Sequence, residues 1–470
     1  MRGIWSTLAL VVILAGLGAY IYFVDRNRPA ASSSVEGEPA REKFFTVETD
    51  KITEIKLTSK GQTTLLRKSE GGWKMIEPVQ ADADPPEAIS LAQAITNIES
   101  VRPVVDNPPD LKQFGLADPP ITVEFKAEGG ASGSFKLGNK NPTQTEIYAQ
   151  KGGDNRVVLV SSFQESSFTK EPFALRDRKI LKFDRDKADS ITLARGANAM
   201  ELSRSDSEWK VARPLAGRSD YSAIEGFLTR LSSANMSTLV EENPTDLAKY
   251  GLDKPAMTVT VGAGSSKATL MVGKTEKDQT YAKDASRPIV FTVDSTLQTD
   301  LNKSFDDYRK KELFEFRPFG LARMRAVLDA PGGPKTYEFE KVAAAKPGDA
   351  ETWKVTRIGG SSHNADAAAM DDLLNKLVAI RAESFVAGNT RTGLDKPALV
   401  VSVSYDEGKF ERVRFGAVGD NAYGRRDGEE LVAKVDANSM KAAMQAFDLV
   451  TIPKEPETKA DDTKKPEEKK

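Results

Sequence analysis

Three copies of one pattern run through this chain of 470 residues, and a fold without a threefold internal repeat cannot satisfy them. Trp73-Lys74, Trp209-Lys210 and Trp353-Lys354 recur at intervals of 136 and 144 residues. Gly115-Leu116-Ala117-Asp118-Pro119 returns as Gly251-Leu252-Asp253-Lys254-Pro255 and as Gly393-Leu394-Asp395-Lys396-Pro397. A third marker is Gly138, Gly273 and Gly416, each closing a strand-like run and soon followed by Tyr148, Tyr281 or Tyr423. Three markers in one order define three units, residues 44–182, 183–317 and 318–452.

Each unit has the same internal grammar. Alternating runs at 52–58 and 63–67 predict a strand pair leading to the strand of Trp73, and 190–193, 200–203 and 209–212 repeat it. Asp84, Asp220 and Asp366 then stand 11, 11 and 13 residues after their Trp, where a carboxylate can accept from the free N–H groups of a first helical turn. From each Asp, apolar residues fall at +4, +7, +8 and +11: Ala88, Leu91, Ala92, Ile95; Ile224, Phe227, Leu228, Leu231; Met370, Leu373, Leu374, Leu377. That spacing is one face of an amphipathic helix, three times over. Glu87 adds a capping-box residue in the first copy alone.

A strand near 101–105 follows, then a short helical stretch at 110–114 that stops at Gly115, whose missing Cβ suits a left-handed cap. Hairpins are predicted for 121–125 with 134–137, 257–261 with 267–272, and 399–405 with 410–415. Two further strands, near Tyr148 and at 157–160 in the first copy, and a helix such as 295–305 complete the unit. The fold class is therefore α+β: three tandem repeat units of mainly antiparallel sheet plus helices, preceded by one N-terminal transmembrane helix.

That helix is read from residues 4–24, which carry no charge and would extend about 31 Å, against a hydrocarbon core of about 30 Å. The run is too long for a cleaved signal peptide, so residues 1–24 are expected to remain as an anchor. Residues 25–43, rich in Pro, Ser and Gly, read as a flexible tether with a coil span of about 25 Å. Residues 453–470 mix Pro, Lys, Glu and Asp and are expected to be a disordered charged tail. Basic residues on the C-terminal side of the apolar run would by themselves hold it inside. Long domains translocate largely regardless of such charges, however, and the body is expected on the extracytoplasmic side of the inner membrane.

Composition excludes several chemistries. There is no Cys and a single His, so there is no disulfide framework, thiol nucleophile or multi-histidine metal site. With 67 basic and 69 acidic residues and a net charge of −2, the chain lacks the basic face that nucleic acid requires. Gly273-Lys274-Thr275 resembles the end of a phosphate loop, but Ala268 stands where that loop needs Gly. Ser167 with Lys170 and Ser207 with Lys210 have the spacing of an acylating pair without its Lys-Thr-Gly partner. Ser361, Ser362 and His363 read as a solvated loop before the Asp366 cap. Asp82 with Asp84, and Asp184 with Asp186, read as a cap and a charge-mixed junction, and the three tryptophans as core.

The feature left for interaction is charge at the unit ends. Arg176-Asp177-Arg178-Lys179 and Asp307-Tyr308-Arg309-Lys310-Lys311 stand where one unit hands over to the next, and the third unit ends in Phe447-Asp448-Leu449-Val450. Arg176, Arg178, Lys179, Arg309, Lys310 and Lys311 are therefore the candidate inter-unit or partner surface.

With its anchor, tandem units, Trp-Lys strands, Gly-Leu-x-x-Pro turns and basic unit ends, the chain resembles the bacterial family known as domain of unknown function 4340, over residues 44–452. The third unit departs in lacking the basic end. The resemblance implies an inner-membrane-anchored protein with an extracytoplasmic body beside ABC-type exporters, and it brings no catalytic residues. The expected function is a non-enzymatic scaffold or binding module whose partners are the membrane and exporter subunits. No cofactor, metal, small-molecule ligand or nucleic acid is expected. The alternative is an envelope hydrolase or carbohydrate-binding protein acting through a cleft between units. Two carboxylates about 5 to 9.5 Å apart would mark the hydrolase, and unpaired aromatics on one face the carbohydrate binder.

Overall fold

A computed structural model of the chain describes residues 41–343, 351–386, 388–406 and 408–452. The expected anchor, most of the tether and the charged tail lie outside these residues. Among the described residues no helix is long and apolar enough to cross a membrane.

The repeat is a nine-stranded antiparallel sheet, built three times. Across the first sheet the strands lie in the order Ala81–Asp82, Gly72–Glu77, Gln62–Ser69, Ile52–Ser59, Ile121–Ala127, Ser132–Lys140, Glu146–Lys151, Val157–Ser161 and Arg102–Val105. The second runs between edge strands Gly217–Arg218 and Thr238–Glu241, and the third between Ser362–Ala365 and Ala382–Val386, in the same order. A two-stranded pair, Glu42–Lys43 with Glu99–Ser100, accompanies the first.

Alternation explains why one face of each sheet is covered. Ile121, Val123 and Phe125 are buried, as are Leu399, Val401, Val403 and Tyr405, while the residues between them are not. The four strands before the helix end at one edge, and the strand after it starts at the other. The chain must therefore cross the sheet, and a 13-residue helix makes the crossing in each unit: Pro85–Asn97, Tyr221–Ser233 and Ala367–Ala379. Each starts at its predicted cap: Asp84 accepts from Glu87 N at 3.1 Å, Asp220 from Ala223 N and Asp366 from Ala369 N, both at 2.9 Å. The predicted apolar faces are those buried, and each large side chain stabilises by about 1.5–3 kcal/mol. Trp73, Trp209 and Trp353 are buried in the strands facing them.

The two glycine markers prove to be one contact. Gly115, Gly251 and Gly393 take φ of 69°, 67° and 72°, which turns the chain back across the strand holding the second glycine. A Cβ on Gly138 would lie 2.2 Å from Phe114 O, on Gly273 2.1 Å from Tyr250 O, and on Gly416 2.4 Å from Thr392 O.

Two local expectations are corrected. Residues 361–363 do not form a solvated loop: Ser362–Ala365 is an edge strand paired to Trp353–Thr356, and Gly359, at φ 75°, makes the turn between them. The helix expected at 295–305 is shorter, Ser295–Leu301, because Ser304 and Asp307 form a capping box that starts a separate turn, Phe305–Tyr308.

The chain divides between Arg178 and Lys179 into two compact bodies, the first containing the first sheet and the second containing the other two.

Candidate functional site

Each handover segment completes sheet edges. In the first body, Arg176 forms an antiparallel bridge with Ala83, and Asp177 N donates to Asp82 O at 2.9 Å, beyond edge strand Ala81–Asp82. In the second body, Lys179 bridges Asn235, and Ile180 N donates to Ala234 O at 3.2 Å. The second handover lies within one body and repeats this. Arg309 bridges Ser219 and Lys310 N donates to Arg218 O at 3.1 Å, while Glu312 bridges Arg381 and Ala382 N donates to Lys311 O at 2.7 Å. These arms satisfy backbone groups that an edge strand would otherwise leave open.

The six predicted residues have different surroundings. Arg309 is buried, donates from Nη1 to Leu215 O at 3.1 Å and lies over the Phe385 ring at 5.7 Å. Burial pulls its guanidinium below the usual arginine range, with Asp306 and Glu429 opposing. Lys310 reaches Glu315 at 2.5 Å and Lys311 reaches Asp307 at 3.2 Å. Arg176 is buried at its bridge, and Arg178 lies over the Phe173 ring at 5.9 Å. Lys179 donates from Nζ to Ser233 O at 3.1 Å, and its carbonyl accepts from Arg287 Nη2 at 2.7 Å.

Around the second handover the arrangement is larger than the sequence indicated. Arg218 donates to Glu429, to Glu315 at 2.9 Å and to Glu312 O at 2.8 Å. Burial pushes the Glu315 carboxyl up, but Lys310 and Arg218 outweigh it and hold the group at about 2. Beneath the arm, the fully buried carboxylate of Glu411 pairs with Arg426 and accepts from Glu315 N at 3.1 Å and Phe316 N at 2.9 Å. The arm is thus held by charge-assisted hydrogen bonds where it enters the third sheet.

Arg218, Glu315, Glu411, Arg426 and Glu429 were not selected from sequence. A signal for one existed: Glu411 occupies the inward strand position held by Gly133 and Ala268 in the other units, opposite Phe125, Val261 and Val403. A carboxylate at a core-facing position requires a partner.

The other candidates take structural places. Asp84 caps its helix and Asp82 pairs with Lys74. Asp184 accepts from Asp186 N at 3.2 Å and pairs with Lys187 at 2.8 Å. His363 Nε2 lies 3.0 Å from Val450 O. Among the described residues no group of three or more His, Asp or Glu is placed to hold a metal ion.

A family model described as "Domain of unknown function (DUF4340)" matches residues 73–218 and 209–397. Each match opens at the Trp strand of one unit and runs past the Trp of the next, so its limits are out of phase with the sheets. No curated protein and no solved structure matches the chain.

Proposed function

The chain belongs to the DUF4340 family, and on that premise we propose that it is a membrane-anchored, extracytoplasmic scaffold or binding module without enzymatic activity, accessory to an ABC-type export complex in the cell envelope. The observation that carries this reading is the use made of charge. The distinctive ionic groups of the second handover are committed to joining one sheet to the next, with Arg218 and Arg309 in contact with backbone carbonyls and carboxylates. A chain that uses its buried charges to concatenate sheets gains surface, which suits partner binding more than turnover. The uncharged run 4–24 supplies the anchor in this reading, and the tether places the sheets beside the membrane.

The test is protease accessibility of the body in spheroplasts, followed by crosslinking and identification of the proteins that the full-length chain retains. Digestion from outside, together with recovery of transporter subunits, is the expected result. A protected body, or an accessible one that retains no membrane partner, overturns the proposal.

A further inference from the structure

We propose that the chain assembles head to tail, the segment around Arg41 of one copy completing the edge strand Ser362–Ala365 of another. The first sheet carries a further handover arm at its start. Lys43 pairs with Glu99 as Lys179 bridges Asn235 and Glu312 bridges Arg381, and Phe44 N donates to Ile98 O at 2.9 Å as Ile180 N does to Ala234 O. The segment Arg41-Glu42-Lys43-Phe44-Phe45 therefore stands to the first sheet as Asp177-Arg178-Lys179-Ile180-Leu181 stands to the second and Lys310-Lys311-Glu312-Leu313-Phe314 to the third. In the two internal arms, the residue two before the bridging one donates its N–H to an edge strand: Asp177 to Asp82 and Lys310 to Arg218. The equivalent residue in the first arm is Arg41, and among the described residues no edge strand pairs with it.

The receiving edge exists on the third sheet. Asp82 lies opposite Lys74 and Arg218 opposite Lys210, and Asn364 lies opposite Lys354 in the same register. Asp82 and Arg218 are half-buried at their arms, whereas Ser362 and Asn364 are exposed. Among the described residues no bridge is made on the outer side of Ser362–Ala365, which is terminal in its sheet. The strand has no Pro, Lys or Glu of the kind that blunts an exposed edge. Leu449 and Ile452 are exposed at the end of the helix whose Val450 O meets His363.

The internal arms also insert a side chain into the unit they leave, Leu175 or the fully buried Tyr308. The third unit fills that space itself with Phe447 and Val450 of helix Ala437–Thr451, so an arriving arm has only to add a strand. The segment before Arg41, Pro39-Ala40, has no large side chain to insert. Such a joint is heterologous: each copy offers one arm and one edge, so association continues into rings or linear arrays.

The absence of cysteine permits a direct test on the full chain in mild detergent. Directly paired antiparallel residues stand about 4.5–5.5 Å apart at Cα, within disulfide reach. On mild oxidation, Arg41→Cys/Asn364→Cys should give a ladder of linked multimers, and a mixture of the two single variants should give dimers carrying the 41–364 linkage. Asn364→Pro, in a chain otherwise native, should lower the mean mass in sedimentation at every concentration where the parent associates. A double variant that stays monomeric or that closes only within one chain overturns the proposal. So does preferential linkage of the thiol introduced by Asn364→Cys to one placed in the tail by Lys464→Cys. The linkage pattern decides even if Asn364→Pro fails to fold.

Discussion

The second and third sheets share strand order, a capped crossing helix and the paired glycines, yet they finish differently. The second closes with the short helix Ser295–Leu301, a turn, and an arm in which Tyr308 fills the core against Phe227, ring centroids 5.6 Å apart. The third closes with a 15-residue helix that buries Met440, Ala443, Ala446, Phe447 and Val450. Filling the last part of the core and extending the next sheet are thus separable tasks. One segment performs both in the second unit, and the third retains only the first.

The starts differ as well: the arm entering the second sheet is held at its carbonyls by Arg287, which pairs with the buried Asp284, whereas the arm entering the third is held at its N–H groups by the carboxylate of Glu411. This gives the largest expected effect. Arg426→Ala leaves Glu411 buried without its cation and should cost about 3–5 kcal/mol, read by denaturant unfolding, with hydrogen exchange rising first at 313–316. Glu411→Gln/Arg426→Met, which removes both charges but keeps a side-chain oxygen for Glu315 N and Phe316 N, should recover part of that loss. If Arg426→Ala is silent, the pair does not hold the arm.

The glycine contact should behave alike in both sheets. Gly273→Ala and Gly416→Ala each drive a Cβ into a carbonyl, and each should lower stability by about 1–3 kcal/mol. A cost in one sheet alone would show that the repeats are not energetically equivalent there.

Glu315 makes the second handover sensitive to acid. Its folded value of about 2 lies below the ordinary glutamate value of about 4.3, so its stabilisation is complete above the ordinary value and is lost as pH falls towards 2. Thermal unfolding followed from pH 5 down to pH 2 should show this loss, and Glu315→Gln should reduce the slope. The smallest effect is expected at Tyr308, whose hydroxyl is buried without a hydrogen-bond partner. Tyr308→Phe should be neutral or stabilising by up to about 1 kcal/mol, and a clear loss in a melting curve would show that the hydroxyl has a use.

The sheets are more legible in the sequence than the joints. The Asp caps, apolar helix faces, hairpins and motif glycines can be read because each depends on local spacing: Asp220 needs only Ala223 three residues on, and Ile224, Phe227, Leu228 and Leu231 only a helical period. Strand order is not legible. The pairing of Ile52–Ser59 with Ile121–Ala127 joins residues whose own alternation is the same whichever neighbour they take. At the candidate site, the clusters containing Arg309 and Lys310 are visible as charge. Their partners Leu215, Glu315 and Phe385 lie in separate strands and turns, and only folding assembles them. Ser362–Ala365 escapes recognition because two glycines before a His look like a loop until the strand they return to is known.

The central ladder of every sheet joins strands made before and after the crossing helix, Ile191 with Val261 and Met324 with Val403 as well as Ile55 with Phe125. As the chain emerges from its N-terminus, the first four strands of a sheet wait for the strand that completes the central ladder, which begins at Ile121 when the fourth strand has ended at Asp82, at Met257 after Arg218 and at Leu399 after Ala365. Long-range pairing of this kind is slow to form and leaves strand rims open while it waits. Each unit nevertheless completes its ladder, and the arm that leaves it, before the next unit's Trp strand has been made. The order of synthesis therefore builds the sheets one at a time and restricts the opportunity for strands of equivalent sequence to pair in the wrong unit.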